Sequence, residues 1–171
     1  MLASPDPKWV AIGERAMLAV NSEAADAKLR LSGFLVANQF LATSAALRRA
    51  FGLGHEDVLI VLTVALGNVQ RMLRTPDAEG LAVSTALVEQ ERIIPVSRRA
   101  VARATGLPRE TVRRRTNALV ESGHLLEWEG GLRTARRLVL SPPIRGAIHE
   151  MLELTAGTAR ALLREGVIAA G

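Results

Sequence analysis

The stretch SRRAVARATGLPRETVRRRTNALVESGHL, Ser97 to Leu125, decides the fold. Seven arginines lie between Arg98 and Arg115, with Glu110 the one acidic residue among them. Ser97 is suited to cap a helix, because its hydroxyl can accept from the free amides of a first turn. Val101, Ala102 and Thr105 fall on one inward face, and the small Ala102 lets a second helix cross closely. Gly106 supplies permissive backbone for the turn, with Leu107 packed beneath it. Pro108 begins the second helix, where its missing N–H costs nothing. Val112 and Leu119, seven apart, share a face that buries against Val101. Outward positions are mostly Arg, so the spacing predicts helix, tight turn, helix, with a cationic outer surface.

Outward from this pair, two apolar-rich stretches, His124 to Trp128 and Leu132 to Leu140, flank Glu129-Gly130-Gly131, the signature of a β-hairpin. Ile93 to Val96 is a short β-branched run interrupted by Pro95 and suits only an edge strand. Towards the N terminus, Asp6-Pro7 opens a helix carrying Trp9, Ile12, Ala16 and Val20. A second helical stretch runs from Ser22 to Phe51, with the stripe Leu29, Val36, Phe40, Leu47 and Phe51 and a break expected at Ser32-Gly33. His55 to Arg74 is a third, burying Val58, Leu62, Ala65 or Leu66, Val69 and Leu73. Thr75-Pro76-Asp77 stops it, and a short helix is expected around Ala82 to Gln90. Ser141-Pro142-Pro143 breaks the chain before a last helix, Ile144 to Glu165. No internal repeat or low-complexity segment is visible.

Composition narrows the function. The chain has 171 residues, 49% apolar and 23% charged, as in ordinary globular proteins. It has few aromatic side chains and no Tyr, so Leu, Val and Ala must build a mostly helical core. The absence of cysteine excludes disulfides, thiol catalysis and thiolate metal sites, and fits a cytoplasmic protein. Met1 to Pro7 contains Asp6 and prolines without an apolar run, so no cleavable signal is expected. The most apolar run, Val58 to Leu66, is far short of the roughly 20 residues of a membrane span. His55, His124 and His149 lack ligand-like spacing, no glycine-rich phosphate loop is present, and nothing pairs a nucleophile with a base. Neither an enzyme, nor a metal, nor another cofactor is expected. Eleven arginines and four glutamates lie from Arg92 to Arg137, a local net charge of +7 in a chain whose total is +5. So localised a positive field is the footprint of a nucleic-acid partner, whereas a merely solvated face mixes its signs.

The segment GLPRETVRRRTNALVESGHL resembles the turn, recognition helix and first wing strand of bacterial winged helix-turn-helix transcription regulators. The resemblance covers about Ile93 to Leu140, and the flanking helices make the arrangement similar to the MarR family of dimeric regulators. Regulators of the GntR and IclR types share the motif but usually carry it near the N terminus. The resemblance implies a mainly α fold: a winged helix-turn-helix with a small β-hairpin wing, flanked by N- and C-terminal dimerisation helices. Its regions would be 1–75 (helical, for dimerisation or sensing), 76–141 (DNA-binding) and 142–171 (C-terminal helix). One departure is visible: Arg115 and Thr116 occupy a buried turn where such helices commonly carry a larger aliphatic residue.

The resemblance further implies a homodimer on double-stranded DNA. Arg109, Glu110, Thr111, Arg113, Arg114 and Asn117 would face the major groove, where Arg suits guanine and Asn suits adenine. Thr111 or Arg109 would alternatively hold a phosphate at the helix N terminus. Arg98, Arg99 and Arg103 would contact backbone phosphates, and Arg133, Arg136 and Arg137 would lie on or near the wing, which can reach the minor groove or flanking phosphates. For any single Arg the plain alternative is a solvated or salt-bridged surface residue. The N-terminal helices admit a small-molecule sensing pocket or a dimer core, and their scarcity of polar candidates favours the dimer. Competing functions are a winged-helix module for protein assembly, replication or plasmid maintenance, and a regulator responsive to a small-molecule effector.

Overall fold

The computed structural model describes residues 18–73, 93–135, 138 and 141–170. The helices expected near Asp6 and around Ala82 to Gln90, and Arg136 and Arg137, lie outside them. The protein is mainly helical, with small two-stranded antiparallel sheets. In chain order the elements are β1 (Leu18–Val20), α1 (Ser22–Ala27), α2 (Leu29–Phe51), α3 (His55–Leu73), α4 (Arg98–Thr105), α5 (Arg109–Glu121), β2 (Leu125–Trp128), β3 (Gly131–Thr134), α6 (Pro142–Arg164) and β4 (Ile168–Ala170). They divide into two compact units, one within Leu59–Leu138, the other within Arg15–Val58 and Val139–Gly171.

In the second unit, α2 and α6 pair. Lys28 Nζ donates to Glu165 (2.8 Å to the carbonyl, 3.1 Å to Oε2), Gln39 to Thr155 Oγ1 (2.9 Å) and Arg49 to Glu150 (2.7 and 3.0 Å). Partner numbers fall as residue numbers rise, so the helices are antiparallel. Strands β1 and β4 pair Leu18 with Ala170 and Val20 with Ile168. A helix through Val20 was expected; a strand is found, held by a partner about 150 residues away that no local pattern announces. The expected break at Ser32-Gly33 is also displaced. Lys28 leaves helical geometry (φ −115°, ψ 29°), whereas Gly33 lies inside α2. Of the α2 stripe only Leu47 is buried; Leu29, Val36 and Phe40 remain mostly exposed.

The first unit is organised around α3. Ile60, Val61, Val64 and Asn68 are buried, whereas Leu62, Ala65 and Val69 are only half-buried and Leu66 is exposed. Val58 is buried as expected, but beyond it the buried face is rotated from the expected one, because α3 is apolar nearly all round and its periodicity leaves the direction open. Asn68 sets that direction. Its Nδ2 donates to the carbonyls of Ile94 (2.8 Å) and Leu132 (3.2 Å), and its Oδ1 accepts from the amide of Thr134 (3.0 Å). Gly67 and Gly131 let the backbone come close. A Cβ on Gly67 would lie 2.6 Å from a Val96 methyl, and one on Gly131 would lie 2.7 Å from Pro95 Cβ. The expected edge strand at Ile93 to Val96 reduces to a single bridge, in which Val96 exchanges two hydrogen bonds with Leu132 (2.9 and 2.8 Å).

The hairpin is tighter than expected. Glu129 and Gly130 form a two-residue turn with φ of 46° and 75°, the left-handed pair of a type I′ turn, and Gly131 belongs to β3. Substituting Asn68 by Ala leaves the Thr134 amide and the Ile94 carbonyl without this partner. We expect the unfolding free energy to fall by about 3 kcal/mol in urea titration, with faster hydrogen exchange at the Thr134 amide. An unchanged midpoint would contradict the role given to this side chain.

Candidate nucleic-acid interface

The basic helix pair is built by its caps and by four buried apolar side chains. Ser97 Oγ accepts from the Ala100 amide (3.2 Å) at the start of α4, and Gly106 ends that helix in left-handed geometry (φ 72°). Thr105 Oγ1 donates to the Val101 carbonyl (2.8 Å) and accepts from the Leu107 amide (3.3 Å), which fixes the turn. Pro108 is the extended N-cap of α5 rather than its first helical residue. Val101, Val112, Leu119 and Leu125 are buried together with Leu132 of β3.

Thr116 resolves the departure from the expected aliphatic turn. It is fully buried, and its hydroxyl donates to the Arg113 carbonyl (3.1 Å) and accepts from Arg98 Nε (3.0 Å). A buried hydroxyl satisfied on both sides avoids the cost of an unpaired polar group. Arg98 continues outward, donating through Nη2 to Asn117 Oδ1 (3.1 Å) and to Glu127 Oε1 (2.5 Å). One guanidinium thereby ties α4, α5 and β2. Arg98, expected at a phosphate, has Nε and Nη2 turned to protein, and Asn117 has its oxygen engaged.

The other arginines differ. Arg99 and Arg103 are exposed one turn apart on α4, and Arg109 and Arg114 are exposed on α5. Among the described residues, none of these four makes a hydrogen bond or ion pair. Thr111 and Arg115 are half-buried. Arg113 binds Glu110 bidentately, Nε to Oε2 at 2.9 Å and Nη2 to Oε1 at 2.6 Å. Those bonds are the main reason the Glu110 carboxyl lies below its usual range; slight desolvation opposes them, and the fields of Arg113 and Arg114 add to them. The same pairing raises Arg113 further. Glu110, Arg113, Arg114 and Asn117 follow at i, i+3, i+4 and i+7, the spacing of one helical face.

On the hairpin, Arg133 stacks over Trp128, its guanidinium carbon 4.1 Å from the ring centroid. Trp128 pairs with Gly131 and Leu126 with Arg133, so the cation reaches the ring along the cross-strand diagonal. Trp128, Asn68 and Glu127 carry no role in the sequence reading. An asparagine within an apolar helix face, and an aromatic residue diagonal to Arg across a two-residue turn, were the available signals. Among the described residues no group of three or more His, Cys, Asp or Glu is placed to hold a metal ion, and no single helix is long and apolar enough to cross a membrane.

Compared with family models, curated proteins and solved structures, the chain matches none. The arginines therefore sort by geometry alone. Replacing Arg98 by Ala should lower stability by about 1–2 kcal/mol, the cost of a buried hydroxyl losing its donor. Replacing Arg99 or Arg114 by Ala should change it by less than about 0.5 kcal/mol. Equal effects in urea unfolding would contradict the division between internal and outward arginines.

Proposed function

We propose that this chain is a winged helix-turn-helix regulator of transcription that binds specific sequences in double-stranded DNA as a homodimer. The observation that carries the proposal is the outer face of α5. Arg109, Arg113 and Arg114 stand exposed on a helix whose opposite side is anchored by Val112, Thr116 and Leu119. A rigid helix with arginines on its free face suits the major groove, where guanine presents paired acceptors. Arg99 and Arg103, exposed and without a partner among the described residues, suit backbone phosphates, and Arg133, stacked on Trp128, is the described candidate for a flanking contact. In this reading β2 and β3 form the wing. Arg98 is the weaker candidate for a phosphate contact, because three of its five donors, Nε–H and both Nη2–H, are engaged within the protein.

The second unit supports the homodimer. Leu29, Phe34, Phe40 and Leu41 are each more than 60% exposed on α2, as is Leu152 on α6. Large apolar side chains gathered on paired helices mark an interaction surface, and a self-complementary two-fold contact is the commonest way to cover one. Two-fold symmetry would set two α5 helices into successive major grooves about 34 Å apart.

Replacing Arg113 and Arg114 together by Ala should weaken binding to duplex DNA at least tenfold while leaving the unfolding midpoint in place. Affinity of the unaltered chain should fall steeply with salt as counterions are released. Fluorescence anisotropy of a labelled duplex reads both, and equal binding by the variant would sink the assignment of this face. Sedimentation equilibrium tests the dimer: the Phe40→Glu, Leu41→Glu double variant should run as a monomer, and an unchanged mass would show that another surface is used.

A further inference from the structure

Glu110 is an acid on the face that the proposed function turns towards a polyanion. Two of its near neighbours on that face are Arg113 and Arg114, and its side chain is 72% exposed. An exposed ion pair contributes little to stability, and an acid in the first turn of α5 gains modestly from the helix dipole, so folding gives only a modest reason for a carboxylate here. Its pairing with Arg113 leaves capacity unused on both partners. A guanidinium has five N–H donors; Arg113 commits Nε–H and one Nη2–H to Glu110. The remaining hydrogens, on Nη1 and Nη2, form an end-on fork matched to the O6 and N7 acceptors of guanine. Each carboxylate oxygen likewise keeps a free acceptor site. Arg113 also holds the carboxyl below its usual range, and an ionised carboxylate is acceptor-only.

We infer that Glu110 reads sequence: held in place by Arg113, its carboxylate accepts the N4 amino hydrogen of a cytosine beside the guanine taken by Arg113. The inference rests on the proposed docking of α5 in the major groove. Among major-groove groups, cytosine N4 and adenine N6 are the donors a carboxylate can use, and cytosine is its usual partner. The spacing fits neighbouring base pairs. The paired side-chain ends lie 2.9 and 2.6 Å apart, against about 3.4 Å per base along a DNA strand. The Glu110–Arg113 pair is then a preorganised acceptor–donor unit for a C–G step, since neither side chain has to find its rotamer on binding.

The experiment is selection from a random duplex pool by the unaltered chain, by Glu110→Ala and by Arg113→Ala, followed by anisotropy on the selected duplex and its single-base variants. The expected result is a half-site with adjacent cytosine and guanine. Glu110→Ala should lose about tenfold discrimination at the cytosine and keep the guanine, whereas Arg113→Ala should lose the guanine. If Glu110→Ala tightens binding to every duplex by a similar factor and keeps all base preferences, Glu110 merely weakens a cationic face and the inference is overturned. If the unaltered chain selects no sequence at all, the reading of α5 as a DNA-reading helix fails, and this inference fails with it. Circular dichroism of both variants, expected to match the parent, excludes misfolding as the cause of a lost preference.

Discussion

Asn68 is the constraint on which the first unit depends. Its amide is buried in α3 and is spent on two carbonyls and one amide from Ile94, Leu132 and Thr134. Each bond fixes a different piece of backbone at the helix surface, so a slip of β3 by one residue would break more than one of them. Gly67 and Gly131 permit the approach by lacking a side chain where Val96 and Pro95 lie. With β3 fixed, Leu132 is fully buried, and the hairpin register brings Leu125 opposite Thr134. Those leucines belong to the same apolar core as Val101, Val112 and Leu119 of the basic helix pair. A polar side chain thus orients the apolar core, because hydrogen bonds are directional and hydrophobic contact is not.

The same logic divides the arginines. Counted by charge, the seven from Arg98 to Arg115 look alike. Counted by partner they do not. Arg98 satisfies Thr116 and reaches Glu127 on the hairpin, so its charge is spent on holding α4, α5 and β2 in one arrangement. Arg113 is oriented by Glu110, and Arg99, Arg103, Arg109 and Arg114 are exposed. An anionic ligand approaching α5 therefore meets fewer free cations than the sequence contains, and those it meets stand on a rigid support.

Much of the basic pair was legible because its signals are local. Ser97 as a cap, Gly106 at positive φ, and Val101, Val112 and Leu119 on the inner face all follow from spacing within one or two turns. Glu129-Gly130 marked the hairpin for the same reason. What escaped the sequence depends on distant partners. Lys28 leaves helical geometry where its side chain meets Glu165, 137 residues away. Strand β1 depends on β4, and three-residue strands are too short to show a period. Helix α3 is apolar on several sides, so only its bonds to Ile94 and the hairpin reveal which face is inward. The internal bonds of Arg98 were hidden for a related reason: nothing local to an arginine beside a helix start shows that the fold brings Thr116 and Glu127 to it.

On the proposed function, the cationic face of α5 is open to DNA, while Arg98 holds α4, α5 and β2 together. Side-chain Nε–Hε resonances of the arginines, followed by NMR during titration with a duplex at low salt, test it most directly. The account predicts that the signals of Arg109, Arg113 and Arg114 move with added duplex and that Arg98 holds its position. DNA binding that moves Arg98 and leaves the three α5 arginines unchanged would contradict it.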